Sequence, residues 1–161
     1  MFVRVGSAVT GSTTEWDTDA MTGDQPISTE ERQSDCKPLV LIVDDDPLHH
    51  RLLQLLADRL NITAHMASSC HQAINALEIF AFDVVLMDIR MPDIDGHLCT
   101  EFIRAMNDRA KHVPIIAVTG NGSPKNRQMC MDAGMDDFLT KPFTLEELHA
   151  MLCRWVRTKT T

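Results

Sequence analysis

The sequence has 161 residues, 44% hydrophobic and 24% charged, with 23 acidic against 15 basic side chains and a formal net charge of -8. At roughly 100–200 residues per domain this is one domain with some excess. The acidic balance argues against nucleic acid as the main partner, because phosphate binding needs a basic face, and suits a divalent cation or a basic protein surface.

Residues 1–37 are rich in Ser, Thr, Asp, Glu and Gly, with three basic and seven acidic side chains. So few apolar groups cannot offset the entropy of ordering the segment, and a disordered tail or linker is expected. The N-terminal run breaks before the roughly 7–15 apolar residues of a secretory signal. No stretch approaches the roughly 18 apolar residues of a membrane span. A cytoplasmic chain without membrane contact is therefore expected. The five cysteines (36, 70, 99, 130 and 153) form no C-x-x-C pair and are odd in number. That spacing predicts buried reduced thiols rather than a zinc ribbon or a disulfide framework.

From Pro38 onward, short apolar runs alternate with amphipathic stretches. The runs are Leu39–Val43, Ile62–Met66, Asp83–Met87, Pro114–Val118 and Asp137–Leu139. The first, third and fourth are nearly continuous, as parallel strands covered on both faces require. Leu48, Leu52, Leu55, Leu56 and Leu60 follow helical spacing, as do Leu98, Phe102, Ile103 and Met106, and then Leu145, Leu148, Leu152 and Trp155. Asp46-Pro47 and Ser123-Pro124 have the form of an N-cap followed by Pro at the first helical position. Thr144 with Glu147 forms a capping box, and Gly134 suits the left-handed residue that ends a helix. Five β-α units in about 120 residues predict an α/β fold, a doubly wound five-stranded parallel sheet. Function in that architecture sits beyond the C-terminal strand ends.

Those ends carry Asp44, Asp45 and Asp46, then Asp88, then Thr119, then Lys141-Pro142. Two carboxylates about 5 Å apart repel by roughly 3 kcal/mol at an effective dielectric near 20. A hard divalent ion between them relieves that repulsion, and Mg2+ fits a site of few carboxylates plus an incoming phosphoryl group. Asp46 has the form of an N-cap, and Asp93, Asp95 and Gly96 that of turn residues. His49 and His50 point about 100° apart on a helix and make a poor chelating pair, so a solvated helix end is expected there.

Four motifs, LIVDDDP at 41–47, LMDIRMPDIDG at 86–96, IAVT at 116–119 and FLTKPF at 138–143, occur in order, each at a strand end. Together they resemble the receiver domain of two-component response regulators, from about Pro38 to Val156. The resemblance implies a flavodoxin-like (βα)5 fold with strand order 2-1-3-4-5 over residues 38–157, with 158–161 as a C-terminal tail. It implies Asp88 as phosphoacceptor, Asp45 as direct Mg2+ ligand, Asp44 acting mainly through water, and the Arg90 carbonyl as a further ligand. Thr119 and Lys141 would hold phosphoryl oxygens, Phe138 would change rotamer with Thr119, and Lys141-Pro142 would be cis. Phe138 has no hydroxyl, which excludes a signalling hydrogen bond through it. Arg90, Gly120 and Asn121 occupy positions that vary in the family, and with Gly120 leaving the site open a moderately short-lived acyl phosphate is expected. The implied partners are a histidine kinase or histidine phosphotransfer domain and an unknown downstream effector, the chain being a stand-alone receiver or part of a larger hybrid kinase.

Two other functions compete. A haloacid-dehalogenase-like Mg2+-dependent phosphatase also uses an Asp nucleophile, but its usual pattern has two Asp separated by one residue and then Thr or Val, where this chain has Pro47 after Asp46. A receiver-shaped interaction module that is not phosphorylated would tolerate loss of the acidic, hydroxyl and lysine positions, all of which are filled here. A flavodoxin-like carrier would not place three carboxylates against a cofactor phosphate. There is no P-loop sequence.

Overall fold

In the computed structural model, which describes residues 37–106 and 108–156, strands and helices alternate from the first apolar run onward. The order is β1 (Leu39–Val43), α1 (Pro47–Arg59), β2 (Thr63–Ala67), α2 (Cys70–Ile79), β3 (Val84–Asp88) and α3 (Gly96–Ala105). A 3-10 turn (Asp108–His112), β4 (Ile115–Thr119), α4 (Pro124–Asp132), β5 (Asp137–Thr140) and α5 (Leu145–Val156) follow. All pairings are parallel, in the order β2-β1-β3-β4-β5. This is the doubly wound topology that the sequence predicts. Strands β2, β3 and β4 begin one residue later than their apolar runs, because pairing rather than hydrophobicity sets a strand's ends. Residues 1–36 and 157–161, and with them the expected tails, lie outside the described residues.

The strand side chains alternate between two cores. Leu41, Val43, Val85, Met87, Ile115 and Ala117 face α2, α3 and α4, through Ala73, Leu77, Cys99, Ile103 and Cys130. Val40, Ile42, Val84, Leu86, Ile116 and Val118 face α1 and α5, through Leu53, Leu148 and Leu152. Each fully buried aliphatic side chain contributes about 1.5–3 kcal/mol. The helix ends follow their capping chemistry. Asp46 accepts from the Leu48 N–H at 2.8 Å, and Ser123 from the Asn126 N–H at 3.3 Å. Thr144 and Glu147 exchange bonds at 2.8 and 3.2 Å. Gly134 takes a φ of +95°.

Three expectations need correction. The predicted apolar stripe of α1 meets the core only in part: Leu56 and Leu60 pack against it, whereas Leu48, Leu52 and Leu55 are exposed and the buried residues are Leu53 and Ala57. Leucines surround most of this helix, so spacing alone does not single out the stripe that meets the sheet. On α3 likewise, Ile103 and Met106 of the expected set meet the core, while Leu98 and Phe102 are exposed and Cys99 is buried in their place. Cys70 and Cys99, expected as free thiols, are joined in a disulfide, because α2 and α3 cover the same sheet face and bring Cα atoms 29 residues apart to 5.5 Å. Cys130 and Cys153 are free.

Two polar anchors act at β4 and β5. Arg104 of α3 donates to the carbonyls of Gly134, Lys111 and Val113 and to the Asp136 carboxylate, at 2.8–2.9 Å. Asp136 also accepts the Ile115 N–H that starts β4. On β5, buried Asp137 accepts from Arg154 and from the Trp155 indole, both at 3.1 Å, and so holds α5 down.

Candidate phosphoacceptor and metal site

Strand register assembles the site. Val43 pairs with Met87, Asp88 with Val118, and Thr119 with Thr140. Asp44, Asp88, Thr119 and Lys141, each at or just past a strand end, therefore lie side by side along one sheet edge. Carboxylate oxygens of Asp44, Asp45 and Asp88 all lie within 4.8 Å of one another. Asp44 is 2% exposed and Asp88 8%, whereas Asp45 is open to solvent.

Lys141 threads between the carboxylates. Its Nζ donates to Asp44 Oδ2 at 3.1 Å and lies 3.5 Å from Asp88 Oδ1. The Lys141-Pro142 peptide is cis, as expected. Burial holds the Asp88 carboxyl above the usual carboxylate range. Lys141 opposes that rise, Asp44 adds to it, and the Arg90 backbone N–H and the Lys141 hydrogen bond oppose it again. Hard oxygen donors crowded in this way, two of them buried, suit a small divalent cation that retains some water. The residues present fit Mg2+.

His49 was expected as a solvated helix end, and its place is different. Its Nδ1 lies 3.0 Å from Asp44 Oδ2 and 3.2 Å from Lys141 Nζ. A carboxylate and a ring nitrogen at that separation need a proton between them, so Nδ1–H donates to Asp44, and the lysine makes no hydrogen bond to that nitrogen. The signal was available as the third residue of a helix following an acidic strand end, since the first turn folds back over the loop. Asp44 is thus held by three donors: His49, Lys141 and the Asp46 N–H at 2.9 Å. Asp46 itself caps the helix, as expected.

Gly96 also does more than turn the chain. Its N–H donates to the Ile89 carbonyl at 2.9 Å, and a Cβ there would fall on the Asp88 carbonyl and 2.9 Å from the Ile89 Cα. This close approach sets where the end of β3 lies. The Arg90 side chain reaches toward Gly120, with Nη2 3.2 Å from the place a Cβ would occupy there.

Thr119 is buried, and its Oγ1 accepts from the Asn121 N–H at 3.1 Å and from Asn126 Nδ2 at 3.3 Å. Phe138 pairs with Ala117, two residues before Thr119, so both side chains leave the sheet on the face that α4 covers. The half-buried Phe138 ring lies 4.5 Å from the Arg127 guanidinium. The roles of Asn126 and Arg127 depend on α4 returning over the β4 end, which sequence spacing alone does not reveal. Beside the carboxylates, His49, Leu52, Leu53, Lys141, Pro142 and Phe143 line a groove of about 290 Å³.

The response regulator receiver domain, as a family profile, matches residues 40–153. The chain belongs to that family. The receiver is 33% identical over 141 residues to the sensor histidine kinase RcsC of Salmonella typhi, covering 86% of this chain and 14% of the relative. It is 36% identical over 120 residues to the sensor protein GacS of Pseudomonas syringae pv. syringae, covering 73% and 13%. The chain thus spans about a seventh of the length of these relatives. Among solved structures, the receiver domain of sensor histidine kinase PA1611 from Pseudomonas aeruginosa PAO1 has magnesium coordinated in its active site cleft. It superposes with a TM-score of 0.70 at 34% identity, covering 76% of this chain and 99% of that one. The chemotaxis protein CheY4 of Vibrio cholerae gives 0.70 at 26% identity, covering 74% and 99%. The receiver domain is a signalling domain of two-component systems. No helix among its described residues is long and apolar enough to cross a membrane.

Proposed function

We propose that the chain accepts a phosphoryl group from a phosphohistidine onto Asp88 and changes conformation to control a partner. One observation carries this: three carboxylates share a site less than 5 Å across, with the Lys141 ammonium 3.5 Å from Asp88. An Asp88 oxygen forms the new bond to phosphorus as the phosphorus–nitrogen bond breaks. The bond's electron pair leaves with the donor imidazole, whose other ring nitrogen already carries a proton, so it departs neutral. Such transfers rest on positioning and on neutralising oxygen charge rather than on acid-base help. Lys141 leaves Asp88 for a phosphoryl oxygen, and the Thr119 hydroxyl donates to another.

Asp44, Asp45, Asp88 and the Arg90 carbonyl are the groups that would hold Mg2+. When bound, that ion neutralises the carboxylates and the phosphoryl oxygens. The added phosphoryl charge draws Thr119 inward, Phe138 follows, and the surface of α4, β5 and α5 shifts as a change of population.

The reading takes residues 38–157 as the receiver, 1–37 as a tail or linker and 158–161 as a C-terminal tail. A histidine kinase or histidine phosphotransfer domain is the donor, in the cytoplasm. Exposed Leu48, Leu52 and Leu55 on α1, beside the groove at His49 and Lys141, give such a donor an apolar landing surface. The phosphatase reading would make Asp44 the nucleophile, and Asp44 is the more buried carboxylate, with both oxygens already hydrogen-bonded.

Incubation of the chain with phosphoramidate, a small phosphorus–nitrogen donor, tests the proposal. A mass gain of one phosphoryl group that needs Mg2+ and disappears with a chelator is expected. Steady release of phosphate from simple esters, abolished in Asp44→Asn but not in Asp88→Asn, would establish the phosphatase instead.

A further inference from the structure

Thr119 and Phe138 are each touched by one of two consecutive side chains in the first turn of α4. Asn126 Nδ2 donates to Thr119 Oγ1 at 3.3 Å and to the Asn121 carbonyl at 2.7 Å. A carbonyl cannot donate, so the Asn126 amide must present its NH2 group here, which fixes its orientation. With the Asn121 N–H at 3.1 Å, both acceptor positions of the Thr119 oxygen are filled from the loop and the helix. The hydroxyl proton is left with only a long contact, 3.5 Å, to the Asn121 carbonyl. Arg127, about 100° further round the helix, lies 4.5 Å over the Phe138 ring. Helix α4 has one buried residue among those described, Cys130, so polar contacts from its first turn do much to set its place.

We propose that Asn126 and Arg127 form a latch that holds Thr119 and Phe138 in the arrangement of the unphosphorylated domain. Drawing the Thr119 oxygen toward a phosphoryl group on Asp88 stretches the 3.3 Å bond that it accepts from Asn126. A ring following it inward must leave the Arg127 guanidinium. Helix α4 therefore registers the acyl phosphate through two contacts one residue apart, and each contact sets how much the switch costs. Asn126 is a positioning residue, since it acts through Thr119 and touches no reacting atom. The inference rests on Asp88 as the phosphoacceptor.

The test is equilibrium binding of beryllofluoride with Mg2+ to the full chain, compared with Asn126→Ala, Arg127→Ala and Asp88→Asn. Arg127 is exposed, so its truncation leaves the fold intact even where Asn126→Ala weakens it. The bound state no longer works against the deleted contact, so each latch variant is expected to bind about fivefold tighter than wild type. NMR signals of Thr119 and Phe138 in the unliganded variants should move part-way toward their wild-type beryllofluoride-bound positions. A residue that merely braces the fold would move neither in this direction. Unchanged or weaker binding by both latch variants, with normal binding by wild type, overturns the latch alone. Absence of binding by wild type, or binding retained in Asp88→Asn, overturns the phosphoacceptor reading and the latch with it.

Discussion

Replacing Asp88 with Asn should stabilise the metal-free domain. The substitution keeps the side chain's shape and removes one charge from a site where carboxylate oxygens lie within 4.8 Å. At an effective dielectric near 20, each carboxylate pair at 4.8 Å repels by about 3.5 kcal/mol. Lys141, 3.5 Å from Asp88, returns about 4.7 kcal/mol of attraction. The lysine therefore offsets one carboxylate and part of the other, and burial of Asp88 adds to the remainder. With screening at exposed Asp45, the net gain is about 1–2 kcal/mol, or roughly 4–8 °C in Tm for a domain of this size. The pH dependence follows from the raised pKa of Asp88. A carboxyl that titrates higher in the folded state gives wild type its full stability below the unfolded value of 3.8, and that stability is lost as pH rises through the folded pKa. The variant's advantage should thus be full at neutral pH and vanish near about pH 3. Thermal melts in chelator across this range measure it, and Mg2+ at about 100 times Kd should restore roughly 2.7 kcal/mol to wild type and less to the variant. A variant that melts at or below wild type at neutral pH, or an advantage that persists in acid, would refute the crowding account.

Other outcomes follow from named contacts. Lys141→Ala should slow phosphorylation by about 10²–10³-fold, in single-turnover assays with a small phosphodonor, because a positive charge is lost beside the transferred oxygens. Gly96→Ala should cost about 1–3 kcal/mol in chemical denaturation and lower phosphorylation as well, since its Cβ displaces the backbone at Asp88. Arg104→Ala should cost about 3–5 kcal/mol in the same assay, because three carbonyls and the Asp136 carboxylate lose their shared donor. Arg90→Ala should shorten the acyl-phosphate lifetime, followed by mass spectrometry after donor removal, because this side chain covers the space that Gly120 leaves open.

The sheet was legible because β1, β3 and β4 are buried on both faces and so are nearly uniformly apolar, and because Asp46, Ser123 and Thr144 mark helix starts by local chemistry. The alignment of Asp44, Asp88, Thr119 and Lys141 followed, since parallel strands put their C-terminal ends on one edge. What spacing could not show was which of several leucines on α1 meets the sheet. Leu48, Leu52 and Leu55 satisfy the helical period as well as Leu53 and Ala57 do, and only the sheet's position decides between them. The Cys70–Cys99 pairing, the Arg104 anchor and the Asn126 and Arg127 contacts all join elements distant in sequence or set by a loop's path. His49 lay within reach of local reasoning. Its contact with Asp44 spans five residues, a separation that the first turn of a helix closes.

The most direct test of the central claim is to locate the phosphoryl group. After treatment of the chain with acetyl phosphate and Mg2+, peptide mapping by mass spectrometry should place one hydroxylamine-labile phosphoryl group on Asp88, with none on the chain in Asp88→Asn. A phosphoryl group on Asp44 or Asp45, or an unchanged yield in Asp88→Asn, would contradict the account.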